Sequence, residues 1–174
     1  MVRVVNIISS NENLIDKKIS PRYEQISIQE ALIDDQTSEE IENFLEIFRK
    51  KGAYDVSCQT INMKKNRTGF SIQVILPIEK QKYFRELWFQ YSNTIGLRER
   101  KQFRWVLLRR KGKCLTTFGN IKFKQTLKPN GTISMKPEND EILRLQIENN
   151  KTAQEVRNII KESCGEFKPF EDWK

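Results

Sequence analysis

Residues Asp55–Pro77 read DVSCQTINMKKNRTGFSIQVILP. Two stretches with β-branched residues, Tyr54–Met63 and Phe70–Leu76, flank a run in which Lys64, Lys65 and Arg67 precede Gly69. Such residues favour extended chain, and a short polar break containing glycine between two extended runs is a hairpin signal. The spacing predicts a β-hairpin whose tip gathers these cations in one place. On its N-terminal side, Thr37 and Glu40 have capping-box spacing, and Ile41, Phe44, Leu45 and Phe48 recur at helical intervals up to Gly52. Before them Ile26, Ile28 and Glu30 alternate with Ser27 and Gln29, as in a strand. On the C-terminal side, Pro77 can open a helix with an apolar face of Phe84, Leu87, Trp88 and Tyr91. Strand returns at Ile95–Leu97 and Phe103–Leu108. The order β-α-β-β-α-β is the split βαβ, or ferredoxin-like, pattern.

The remaining chain reads as a smaller α+β unit, a β-hairpin plus two helices. Cys114–Phe118 and Ile121–Lys124 flank Gly119-Asn120, and Asn130-Gly131 precedes a short strand at Thr132–Met135. One helix is expected from Glu138 to Asn149. A second begins at Thr152, whose capping box is completed by Glu155, and presents Val156, Ile159 and Ile160. The expected organisation is an N-terminal strand (Val2–Ile8) and arm over 1–23 and a ferredoxin-like unit over 24–100. The second unit then covers 101–165, with a tail at 166–174 that has no period.

A chain of 174 residues with 37% hydrophobic content can build a core, which excludes wholesale disorder. Its charge of +8, from 31 Lys+Arg against 23 Asp+Glu, favours an anionic partner. No apolar run is long enough to span a bilayer and no signal-peptide pattern opens the chain, so a cytoplasmic location is expected. The three cysteines, Cys58, Cys114 and Cys164, are too dispersed for a disulfide framework or a CxxC metal site. Complete absence of histidine removes Cys/His zinc sites and any histidine acid or base. No Walker, GxGxxG or GxSxG pattern occurs, and no covalent catalysis is indicated.

Each motif has a bland reading beside a functional one. Lys64-Lys65-Asn66-Arg67 is a solvated turn or a cradle for phosphates, in which Arg grips two oxygens and Lys acts as a point charge. Gly69 serves the turn or a close backbone approach, and Asn66 suits a left-handed turn position. Asp34 and Asp35 are helix caps or ligands of a divalent ion that takes its other oxygens from phosphates. Thr94, Gly96 and Arg98 shape a helix-to-strand connection or aim Arg98 at the hairpin's anion. Glu138 and Asp140 cap a later helix or supply carboxylates. The run from Arg98 to Lys113 is the strongest compositional signal for nucleic acid. However, alternation in FRWVLLRR (Phe103–Arg110) puts Arg104 with Val106 and Leu108, which is no clean basic stripe.

Taken in order, IDDQTSEE, INMKKNRTGF and NTIGLRER resemble the C-terminal domain of the LarC-type nickel-insertion proteins, which help to make the nickel-pincer nucleotide cofactor of lactate racemase. Ile33–Thr37 match an acidic "IDDMT" segment, and Met63, Lys64, Lys65, Arg67 and Gly69 match "MKKxRPG". Asn93, Thr94, Gly96, Leu97 and Arg98 match "TTxGVR", and Pro137–Glu141 match "PEYED". Departures are Leu32 for Asn, Gln36 for Met, Thr68 for Pro and Asn139 for an aromatic, and the family's larger N-terminal domain is missing. The resemblance implies CTP bound with Mn²⁺ or Mg²⁺ and a homo-oligomer. Nucleotide contacts would come from Lys64, Lys65, Asn66, Arg67, Gly69, Thr94 and Arg98, and metal contacts from Asp34, Asp35 and Glu138. It further implies a lyase-type nickel insertase that is inactive without its N-terminal domain. Nickel would enter only through that domain or through a sulfur-containing nucleotide cofactor precursor. Membrane and nucleic-acid partners are not expected. The competing classes are an RNA-binding α+β domain and a non-catalytic oligomerisation or regulatory module.

Overall fold

The Thr37 hydroxyl accepts a hydrogen bond from the Glu40 amide (3.2 Å), while the Glu40 carboxylate accepts from the Thr37 amide (2.7 Å). This reciprocal cap satisfies donors that a helix start would otherwise leave open. In the computed structural model, which describes residues 21–174, it begins α1 (Ser38–Lys50), the helix expected from the sequence. The expected Val2–Ile8 strand lies outside the described residues. The chain from Tyr23 to Arg104 forms one compact unit, and the chain from Trp105 onward belongs to a second.

In the first unit, β1 (Arg22–Ile33), β2 (Asp55–Met63), β3 (Arg67–Pro77) and β4 (Arg98–Val106) form a sheet of order β2-β3-β1-β4. α1 and α2 (Gln81–Tyr91) complete the β-α-β-β-α-β sequence. Ala31, Ile33, Val56, Ile72, Val74 and Leu76 from the sheet form a core with Ile41, Phe44, Leu45, Phe48, Phe84, Leu87 and Trp88 from the helices. Phe48 is fully buried, with the rings of Phe44, Phe84 and Trp88 at 4.3, 5.2 and 5.4 Å. Gln29, also fully buried, is satisfied by Trp88 Nε1 (3.1 Å), the Gln81 carbonyl (2.8 Å) and the Glu99 carboxylate (2.5 Å). A buried amide without partners would be costly; this one ties β1 to α2 and β4.

Several boundaries differ from the sequence reading. Thr68 and Gly69 pair with Asn62 and Ile61, so β3 starts at Arg67 rather than Phe70 and the hairpin tip shrinks to Lys64–Asn66. A short 3₁₀ turn, Ile78–Lys80, separates Pro77 from α2. Tyr91, the last residue of α2, is exposed rather than part of the apolar face. Ile95–Leu97 is not a strand: the Thr94 hydroxyl donates to the Gly96 carbonyl (2.7 Å), and this local bond holds a loop in which Ile95 is fully exposed. Leu107-Leu108 also break the expected Phe103–Leu108 strand, which ends at Val106.

The second unit contains β5 (Arg109–Thr116), β6 (Gly119–Leu127), β7 (Ile133–Pro137), α3 (Asn139–Asn149), α4 (Ala153–Ser163) and β8 (Phe167–Pro169). Its antiparallel sheet has the order β7-β6-β5-β8, so it exceeds the expected hairpin by an outer strand drawn from the tail. Cys114, Ile121 and Phe123 pack against Ile142, Leu145, Val156 and Ile160. The β5–β6 turn is Thr117-Phe118, since Gly119 pairs with Thr116 and occupies the left-handed region at φ 85°. A Cβ on Gly112 would collide with the Phe167 ring and the Lys168 carbonyl, so this glycine permits β8 to dock. Arg109 and Lys174 exchange backbone bonds of 2.9 Å, which fixes the tail's end.

Phe48→Ala removes the ring at the centre of the first core and is expected to lower the unfolding free energy by about 3–5 kcal/mol. Urea denaturation of the two proteins measures the difference. A loss within the range of surface substitutions would contradict the packing described.

Candidate functional site

The β1–β3 register pairs Ile33 with Phe70, so the chain leaving β1 at Asp34 lies beside Gly69 and the hairpin end. A Cβ on Gly69 would stand 2.5 Å from the Met63 sulfur and 2.8 Å from the Ile33 carbonyl. The glycine sits on β3, outside the turn, and its role is close approach. The turn strain falls instead on Lys65 and Asn66, both left-handed at φ 61° and 58°. For a non-glycine residue this costs about 1–2 kcal/mol.

Arg67 Nη1 bonds Asp34 Oδ2 at 3.1 Å, joining the basic hairpin to the acidic loop. Asp35 and Gln36 are held from the other side: Asn93 Nδ2 donates to the Asp35 carbonyl and the Asn93 amide to Gln36 Oε1, both at 3.3 Å. Two shallow clefts meet at Leu32 and Asp34. One, of about 510 Å³, is bounded by Glu30–Asp35 and Asn93–Arg98. The other, of about 620 Å³, is bounded by Leu32, Asp34, Ile61–Lys65 and Arg67. Asp34, Asp35, Thr94 and Arg98 therefore share one cleft, while Lys64, Lys65 and Arg67 share the next with Asp34. Asn66 lines neither. Glu138 lies in the second unit, where it precedes α3 and bridges Lys124 at 3.4 Å. Gln36 and Asn93, which clasp the two loops, were not singled out as functional from sequence. Gln36 stood out in the sequence only as a departure from the resembled motif, and Asn93 only as the first residue of the matched NTIGLR stretch.

Much of the basic run on β4 is neutralised within the sheet. Arg100 bonds Glu30 at 2.6 Å, and Arg104 bonds Glu24 at 2.6 Å while lying 4.1 Å over the Tyr54 ring. Arg85 pairs with Glu99 at 3.3 Å. The Arg100 hydrogen bond, assisted by Gln73, holds the Glu30 carboxyl below its ordinary range. Burial pushes the Cys58 thiol up, and burial with the Cys164 thiol alongside pushes Cys114 up to about 12. Neither group is suited to act as a thiolate nucleophile. Among the described residues, no three His, Cys, Asp or Glu side chains gather as a metal-ligand group, and no helix is long and apolar enough to cross a membrane.

The family described as "Nickel insertion protein" matches residues 1–157. A Rhodopirellula baltica protein named for nickel insertion is 33% identical over 134 residues, covering 77% of this chain and 34% of that protein. The pyridinium-3,5-bisthiocarboxylic acid mononucleotide nickel insertion protein of Staphylococcus saprophyticus is 29% identical, covering 78% of this chain and 35% of its own length. The chain thus spans about a third of the length of these relatives. Among solved structures, the apo form of LarC2 is similar in fold at a TM-score of 0.73 and 23% identity. That protein is the C-terminal domain of a cyclometallase involved in synthesis of the NPN cofactor of lactate racemase. The match covers 82% of this chain and 98% of that one. Protein MK0293 from Methanopyrus kandleri has a TM-score of 0.61 at 15% identity, over 86% of this chain and 98% of that one. The extent of the sequence match decides the question: the chain belongs to the nickel insertion protein family.

Proposed function

We propose that this chain is the nucleotide-binding part of a CTP-dependent nickel insertion system acting on a sulfur-containing nucleotide precursor of a nickel-pincer cofactor. The observation that carries the reading is the Arg67–Asp34 contact, where a basic hairpin and an acidic loop meet beside open clefts. A triphosphate with a divalent cation carries both charges that such a junction can exchange with.

Lys64 and Lys65 would act as point charges on the phosphates, and Arg67 would turn from Asp34 to grip two oxygens. Arg98, from the cleft on the other side of Asp34, would take a further phosphate. Thr94 shapes its loop through the Gly96 carbonyl. The Gln36–Asn93 clasp would keep the two loops at a fixed separation, so that binding spends little on ordering them. Asp34 and Asp35 offer carboxylates of the kind Mg²⁺ or Mn²⁺ takes alongside phosphate oxygens, and the donor set fits such an ion. The cation would offset phosphate charge and polarise the bond under attack. Nickel is cargo here. The chain has no histidine, Cys58 stands apart on β2, and the Cys114 thiol beside Cys164 is buried with its ionisation pushed up, so nickel's ligands would come from the precursor's sulfur or from a separate N-terminal domain. Homo-oligomerisation, a lyase-type overall reaction and a cytoplasmic setting belong to the same proposal.

Calorimetric titration with CTP is expected to give saturable binding with Mn²⁺ present and at least a tenfold loss in EDTA. Equal affinity in both conditions would remove Asp34 and Asp35 from the metal role. Lys64→Glu places a like charge beside the phosphates and is expected to weaken CTP binding more than tenfold. Stability should change by less than about 0.5 kcal/mol, since the residue is exposed. Unaltered affinity with an unaltered thermal transition would return the hairpin tip to a solvated turn.

A further inference from the structure

The second unit's sheet has one face on its core and one turned away. Cys114, Ile121 and Phe123 point inward, so their neighbours along the strands point outward. The register aligns these outward residues into two transverse rows. In one, Lys113 of β5 lies opposite Lys168 of β8 and Lys122 of β6. In the other, Lys124 of β6 lies opposite Lys111 of β5 and Lys136 of β7. Each row crosses three strands, about 10 Å in all, and the rows are about 7 Å apart, the repeat of alternate residues in a strand.

Like charges directly opposite each other destabilise a sheet, so the fold itself gives no reason for this array. Of the six, Lys124 is ion-paired through Glu138 at 3.4 Å, and Lys111 lies in the field of the Glu171 carboxylate, which accepts from its backbone amide at 3.3 Å. Lys111, Lys122, Lys136 and Lys168 are exposed, and Lys113 is half-buried.

We propose that this face binds the phosphate backbone of single-stranded RNA without reading its sequence. A planar array of this extent suits a run of phosphates, whereas one small anion needs convergent donors in a concavity. Lysines supply point charges with no forked geometry, which suits backbone contacts at any sequence. Exposed Phe170, whose amide donates to the Lys111 carbonyl at 2.9 Å, stands at the end of one row and offers a single ring on which any base can stack, a contact that leaves base identity unread. Exposed Leu115 and Phe170 flank the rows as two isolated apolar residues, short of the continuous apolar face that enters a bilayer. The proposal is independent of the nucleotide reading above, which concerns residues of the first unit.

The test is fluorescence anisotropy of the full chain with a labelled uridylate oligomer of about 20 nucleotides, between about 50 and 200 mM KCl. Binding should weaken with salt at a logarithmic slope of about −2 to −3, as expected for three or four neutralised phosphates. Lys113→Glu with Lys122→Glu should lower affinity at least tenfold and flatten the slope. Arg157→Glu with Lys161→Glu, an equal charge change on exposed positions of α4, should lower it less than threefold. If the reversed pair does not fold, as judged by circular dichroism, Lys113→Gln with Lys122→Gln replaces it and should still lower affinity several-fold. Absence of binding at low salt, equal losses from both pairs of reversals, or binding to phosphatidylserine vesicles without binding to RNA would each overturn the proposal.

Discussion

The antiparallel pairing of β1 with β3 is the constraint on which the first unit depends. Its register runs from Ile26 opposite Pro77 to Ile33 opposite Phe70. It turns Ala31, Ile33, Ile72, Val74 and Leu76 onto the helices, and a slip of one residue would send each of them to the other face. The same register sets where β1 ends. Asp34 emerges at the strand's edge against Gly69, where a side chain would meet the Ile33 carbonyl. Core packing and the meeting of acidic loop with basic hairpin therefore rest on one set of backbone hydrogen bonds. Gln29 reinforces it from within, because its amide is satisfied only when α2 and β4 are in place.

Excess positive charge is treated in opposite ways in the two units. On β4, Arg100 and Arg104 face Glu30 and Glu24 at 2.6 Å, and arginine's fork and stacking over Tyr54 give those cations a structural use. On the second sheet, lysine faces lysine across β8, β5, β6 and β7. Lysine on solvent-facing strands can also discourage edge-to-edge association, yet these lie on central strands as well as on the outer ones. Net charge alone could not separate the two situations. Cross-strand register does.

What the sequence made legible was local chemistry. Both capping boxes form as their Thr-x-x-Glu spacing requires, and the helix faces of Phe44, Phe48, Phe84 and Trp88 follow from helical periodicity. The ferredoxin-like order was readable because its hairpin and helices each carry such signals. Positions decided by non-local pairing were not readable. Arg67–Gly69 look like turn residues until Met63, Asn62 and Ile61 are found opposite them. Alternation through Phe103–Arg110 is broken at Leu107-Leu108, so faces counted across that point were assigned to one strand where there are two. The tail becomes a strand only because Gly112 leaves room for Phe167. At the site, Asp34 and Arg67 were legible as types, while their contact depended on a register that no local pattern encodes.

The Arg67–Asp34 pair also bears on how such a site can stay ready without a ligand. Three cations near two carboxylates at a surface would repel among themselves or attract stray ions if left unpaired. One ion pair reduces both effects, and at 57% and 27% side-chain exposure it is weak enough to exchange. A free triphosphate could displace Asp34 from Arg67, but it would then stand beside an uncompensated carboxylate. A bare cation could take Asp34, but it would strand Arg67 among lysines. Only a ligand bringing anion and cation together replaces both halves of the bridge at once. On the proposed reading the pair would discriminate against either charge arriving alone, and the proposed metal dependence would follow from that exchange before any chemistry of the nucleotide is considered.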